Sequence, residues 1–205
     1  MNQRCTSNPS VLISTCFVLI ASLALSGCVG TAIGAGATTG IAVAQERSIG
    51  TAVDDTSIQF RINERLLRES EMLFTKTNLD VVEGRVMLTG VVPTQADRDS
   101  ATELAWKVKG VNEVLNELQI ARPGDASSFV KDASITAQLR FKMLSDRDIH
   151  AINFTLTTVN AIVYLLGIAR TEVEHQKLVE HARNVKGVKK VVSHVLLKDD
   201  PRRKA

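Results

Sequence analysis

The chain has 205 residues, 44% of them hydrophobic and 23% charged, with 12 Gly, 4 Pro and few aromatic side chains, which leaves room for one ordinary domain or two very small ones. Lys and Arg number 25 against 22 for Asp and Glu, far from the basic excess of a nucleic-acid-binding protein. The charge content also excludes a mostly disordered chain and a polytopic membrane protein.

The first segment reads as an export signal. Arg4 precedes an apolar run from Val11 to Leu25, short for a spanning helix and right for the core of a signal peptide. The run ends in Leu25, Ser26, Gly27 and Cys28, small residues before a cysteine that resemble the bacterial lipoprotein signal. That resemblance implies removal of residues 1–27 and lipidation of Cys28. Val29 follows the cysteine in place of Asp, which resembles the class bound to the outer membrane. Cys5 and Cys16 lie inside the signal, so no thiol remains for a disulfide or for catalysis. Residues 28–53 carry five Gly and read as a tether whose apolar content suits a membrane surface or the protein body as well as solvent.

Beyond the tether the sequence repeats itself at a constant offset of 77, residues 55–121 falling on 132–198 with 17 identities in 67 positions and no gap. We therefore expect two copies of one unit, 54–122 and 131–198, joined by a Pro/Gly/Ser-containing linker at 123–130 and followed by a basic tail, 199–205.

Each copy reads helix, strand, strand, helix, strand. The opening helices carry Ile58, Ile62, Leu66 and Ile135, Leu139, Met143, a spacing of four that lines one face. Strands are expected at 78–82 and 85–92 around Glu83 and Gly84, and at 154–159 and 162–169 around Asn160 and Ala161. Alternation in VMLTGV and VYLLGI is imperfect, but β-branched content favours sheet. Thr94 and Thr171 read as N-caps of the next helices, the second as a full capping box with Glu174, and Gly110 and Gly187 as their C-terminal stops. Final strands fall at 113–120 and 190–197. The expected fold is α+β, each unit a three-stranded mixed sheet with two helices on one face. Residues 151–169 contain no charge, yet their register with 74–92, which holds Lys76, Asp80, Glu83 and Arg85, argues against a spanning helix.

This pattern resembles the BON-domain lipoproteins, through the D-x-x-I start at Asp55 and Asp132, the centre Gly84, Val86, Leu88, Gly90, and the V-x-G-V turn at 108–111 and 185–188. The second copy departs from it, with Ala161 in place of the first glycine, so a looser hairpin is expected there. The resemblance implies a protein facing the periplasm from the outer membrane. It also implies binding of anionic phospholipid through the second module, without a cofactor, in support of envelope integrity.

Residue chemistry points the same way. His150, His175, His181 and His194 form no metal-ligand spacing, and no HExxH or paired cysteines occur. Asp55 and Asp132 read as structural carboxylates at helix starts, and Gly90 and Gly167 as sites of close backbone approach. The copies differ in charge: residues 54–122 hold 9 basic and 12 acidic side chains, residues 131–198 hold 11 and 6. That asymmetry fits mutual attraction of the modules, or a basic module facing an anionic surface. On the first helix of module two, Val130, Ala137, Phe141 and Leu144 gather opposite the core stripe beside Arg140, with Lys131 and Lys142 near enough to snorkel. Such a second apolar face must meet module one, lipid headgroups or a protein partner in the envelope. The family resemblance favours lipid, with Phe129, Ser134 and Phe141 on the contacting helix; Ser134 stands where a tryptophan is found in the resembling proteins.

Overall fold

The structure is a computed structural model and describes residues 49–121 and 129–204. The signal peptide, Cys28, most of the tether, Arg122 and residues 123–128 of the expected linker lie outside the described residues, while Phe129 and Val130, also read as linker, open a helix. Module one runs α1 (Ile49–Glu69), α2 (Glu71–Lys76), β1 (Thr77–Val82), β2 (Arg85–Val92), α3 (Gln95–Trp106) and β3 (Glu113–Ile120). Module two runs α4 (Phe129–Ser145), a 3-10 turn (Ala151–Asn153), β4 (Phe154–Val159), β5 (Ile162–Ala169), α5 (Glu172–Arg183) and β6 (Lys190–Leu197), and a second 3-10 turn follows (Pro201–Lys204). The apolar segment 151–169 is thus a 3-10 turn and a hairpin.

In each module the middle strand pairs antiparallel with the first and parallel with the third, and the helices cover one face. The predicted stripes form the cores. Ile58, Ile62 and Leu66 pack on Val86, Leu88 and Val92, and Ile135, Leu139 and Met143 pack on Val163 and Leu165. The helix-free faces of the two sheets bury each other: Val82 and Met87 of one lie in a single cluster with Val159, Tyr164, Leu166 and Ile168 of the other. The resulting order is helix, sheet, sheet, helix. Central strands β2 and β5 are therefore covered on both sides, which explains their imperfect alternation.

The hairpins are equally tight. Glu83 and Gly84 have φ of 54° and 72°, Asn160 and Ala161 of 53° and 64°, so both turns are two-residue turns with two left-handed positions. The looser hairpin expected from Ala161 does not form. The carboxylate of Asp132 accepts from the Asn160 and Ala161 amides at 2.7 and 2.8 Å, as that of Asp55 does from Glu83 and Gly84 at 2.8 Å each. Both carboxylates are structural, as expected, but they clamp the hairpin instead of capping their own helix. Gly90 answers to close approach: a Cβ there would lie 2.1 Å from the Lys76 carbonyl oxygen.

Further expectations change. The opening helix starts at Ile49, inside the segment read as tether, and module one has an extra short helix, α2, capped by Ser70. The full capping box belongs to Thr94 and Asp97. Thr171 caps α5 through its hydroxyl, while Glu174 turns away to accept from the amides of His150 and Arg170, at 2.7 Å each. Helices α3 and α5 end at Trp106 and Arg183, ahead of Gly110 and Gly187, whose positive φ serves the next turn.

Candidate lipid-contact face of the second module

Helix α4 is held by its inner side alone. Asp132, Ile135, Leu139 and Met143 are buried, and the Thr136 and Thr158 hydroxyls bond at 2.9 Å. The other side carries the residues singled out in sequence. Val130, Phe141 and Leu144 are 81%, 72% and 77% exposed, Phe129 is exposed at the first turn, and Ala137 is exposed with them. Ser134 is exposed and accepts from Gln138. Neither Phe141 nor Leu144 is covered by module one.

Of the nearby cations Arg140 borders this face, while Lys131 lies back beside Gly187 and Ile135. Lys131 and Arg140 are exposed and Lys142 is half-buried, and none of the three makes an ion pair among the described residues. An exposed apolar helix face thus lies beside the Arg140 cation, which makes no ion pair among the described residues.

The modules touch through their sheets and the chain end. Thr157 donates to Asp80 at 3.0 Å, Asn160 to the Gln119 side-chain oxygen at 2.8 Å, and Gln119 to the Tyr164 hydroxyl at 3.0 Å. Arg85 reaches the His194 carbonyl at 2.8 Å while its Nε meets Glu113 at 2.6 Å. Arg203 grips both carboxylate oxygens of Glu83, at 2.9 and 2.8 Å, tying the chain end to the first hairpin. Burial pushes the Asp80 carboxyl up from the ordinary carboxylate range, and the Thr157 hydrogen bond and the Arg140 charge pull it partly back.

The histidines are scattered among separate partners: His150 beside Glu174, His175 on Ser193, His181 on Asp146 and His194 on Glu117. Among the described residues no three His, Cys, Asp or Glu side chains form a metal-sized group. No described helix is long and apolar enough to cross a membrane.

One surface was missed in the sequence. Val53, Phe60 and Leu67 on α1 are 63%, 70% and 51% exposed. They fall on Val130, Ala137 and Leu144 at the 77-residue offset, which was the signal that could have found them.

The family model of the BON domain matches residues 54–122 and again 131–199. The chain belongs to the BON-domain family, a non-catalytic one. A relative from Haemophilus influenzae, described as outer membrane lipoprotein DolP, is 33% identical over 176 residues, spanning 85% of this chain and 91% of its own. An uncharacterized protein from the gshII 5' region of Anaplasma centrale is 35% identical over 71% of this chain and 96% of its own. A third, described as a 21 kDa hemolysin of Actinobacillus pleuropneumoniae, is 31% identical over 71% of this chain and 75% of its own.

Proposed function

We propose that this chain is an outer-membrane lipoprotein, anchored through Cys28 and facing the periplasm, that binds anionic phospholipid through module two and supports envelope integrity without catalysis. The observation that carries the reading is the exposed apolar face of α4, with Phe141 and Leu144 at its centre and Arg140 at its border. The LSGC sequence at 25–28 and the likeness to an outer membrane lipoprotein support the anchor and the location.

Apolar contact and charge fail differently. Buried apolar area is insensitive to salt, whereas attraction to anionic lipid falls as ionic strength shortens the Debye length. The test is co-sedimentation of the chain from Val29 to Ala205 with vesicles of phosphatidylglycerol or of phosphatidylcholine. Phe141→Ala is expected to weaken binding to phosphatidylglycerol at low and high salt, and Arg140→Glu with Lys142→Glu chiefly at low salt. Both variants stay folded because the inner stripe is untouched. If the parent binds neither vesicle, or the folded Phe141→Ala variant binds as the parent does, the face belongs to a protein partner in the envelope.

A further inference from the structure

Arg140 has a second setting besides the outer face of α4. Its side chain stands at the junction of two adjoining hollows on the flank of the helix that looks toward module one, and Leu156 floors both. One hollow runs toward the C-terminal end of α4, between Met143, Leu144 and Ile152, with Asp80 of module one at its edge. The other runs toward the N-terminal end, between Phe129, Ala133 and Ala137 on one wall and Gly90, Val91 and Pro93 of module one on the other, with Lys76, Thr136, Thr157 and Thr158 also lining it.

A cation with no ion pair, placed where two mostly apolar troughs meet, matches a molecule that has one anionic centre and two apolar arms. We propose that this cleft is a seat for a single anionic phospholipid, its phosphate on Arg140 and its acyl chains entering the two troughs, and that module one is part of the site. The inference rests on the membrane reading above and deepens it, because a seat selects a lipid molecule where a face selects only a surface. Module one contributes in two ways. Pro93 and Val91 wall one trough, and the Asp80 carboxylate opposes the bound phosphate across the edge of the other.

The test uses dihexanoyl phosphatidylglycerol below its micelle concentration, titrated into residues 29–205 by calorimetry, with dihexanoyl phosphatidylcholine and inorganic phosphate as separate arms. Saturable binding of the phosphatidylglycerol is expected, about tenfold weaker in Arg140→Gln, as befits loss of a charge-assisted contact. Pro93→Glu, an exposed change in module one, is expected to weaken it about fivefold or more while leaving vesicle binding in place. Asp80→Asn is expected to tighten it. Absence of saturable binding in a parent that still sediments with vesicles overturns the seat and leaves the surface reading standing, while loss of both removes both. Equal binding of phosphatidylcholine, or phosphate binding as tightly as the lipid, also overturns the seat, as does unchanged affinity in Pro93→Glu.

Discussion

Glu117 and His194 hold the same place in the two modules, 77 residues apart, and their side chains meet at 2.8 Å. Asp80 and Thr157, another equivalent pair, meet at 3.0 Å. Two positions related by a twofold rotation can touch only if both lie close to its axis. The modules are therefore arranged about an approximate twofold that runs between the sheets, from β1 and β4 at one edge to β3 and β6 at the other.

The first prediction concerns that axis. The Glu117 to His194 contact is partly sheltered, with side chains 27% and 21% exposed. A double-mutant cycle of Glu117→Gln and His194→Gln is expected to give a coupling of about 1 kcal/mol in urea unfolding, more than a fully solvated pair returns. Strict additivity would show that the contact does not hold the modules together.

Asp80 gives a pH dependence with a definite sign. Burial raises its folded-state pKa above the unfolded value, so the native state binds the proton more tightly than the unfolded state. This contribution is fully present below the ordinary carboxylate range and is lost as pH rises through the folded value. Asp80→Asn is expected to remove that slope and to be no less stable than the parent at pH 7. Urea unfolding of both proteins at pH 4 and pH 7 checks it.

The hairpins make an asymmetric pair. A Cβ at Gly84 would stand 2.5 Å from the Gly110 carbonyl oxygen, and φ there is positive, so Gly84→Ala is expected to cost about 2 kcal/mol or more. Ala161 already pays for its left-handed φ, and Ala161→Gly exchanges relief of that strain for lost burial and greater freedom of the unfolded chain. These terms are each about 1 kcal/mol and oppose one another, so thermal unfolding of the variant should lie close to the parent.

The chain end is predicted to be a working part of the fold. Arg203 and Glu83 are 14% and 15% exposed, and Arg203→Ala leaves a largely buried carboxylate without its bidentate partner, an expected loss of about 1 to 3 kcal/mol in denaturant unfolding. The neighbouring Asp200 carboxyl is held down to about 2 by hydrogen bonds from Arg202, so its contact lasts into strong acid. A stability contribution from it is present above the ordinary carboxylate range and is lost as pH falls toward that value.

Lipidation of Cys28 is open to mass spectrometry of the protein from membranes. A mature chain beginning at acylated Cys28 is expected, and Cys28→Ala should retain residues 1–27. An unmodified Cys28 in the native protein would remove the anchor from the proposed function.

Much of this architecture was legible in sequence because local rules and the repeat agreed. The strands from 85 to 92 and 162 to 169 stand where β-branched content placed them, and the core stripes of α1 and α4 point inward. What escaped were choices made by tertiary partners. Thr171 and Glu174 have the right spacing for a capping box, yet the loop at His150 offers Glu174 an amide to accept from, and nothing local reveals that competition. The exposed residues of α4 were readable because a helix wheel separates them from the core. The hollows beside Arg140 were not, since part of their walls comes from module one, Gly90, Val91 and Pro93 in one hollow and Asp80 in the other.

The packing of sheet on sheet has a consequence for any attempt to divide the molecule. A half-chain would carry a naked apolar sheet face, with Tyr164, Leu166 and Ile168 uncovered in one case and Val82 and Met87 in the other. The tandem gene product is thus a dimer whose second subunit is supplied in cis, at a fixed ratio of one to one and at high effective concentration. A lone second half would satisfy itself with another of its kind, bringing Tyr164 toward Tyr164 and His194 toward His194. Linking two unlike halves lets a carboxylate stand opposite an imidazole on the axis, a pairing that identical subunits cannot make.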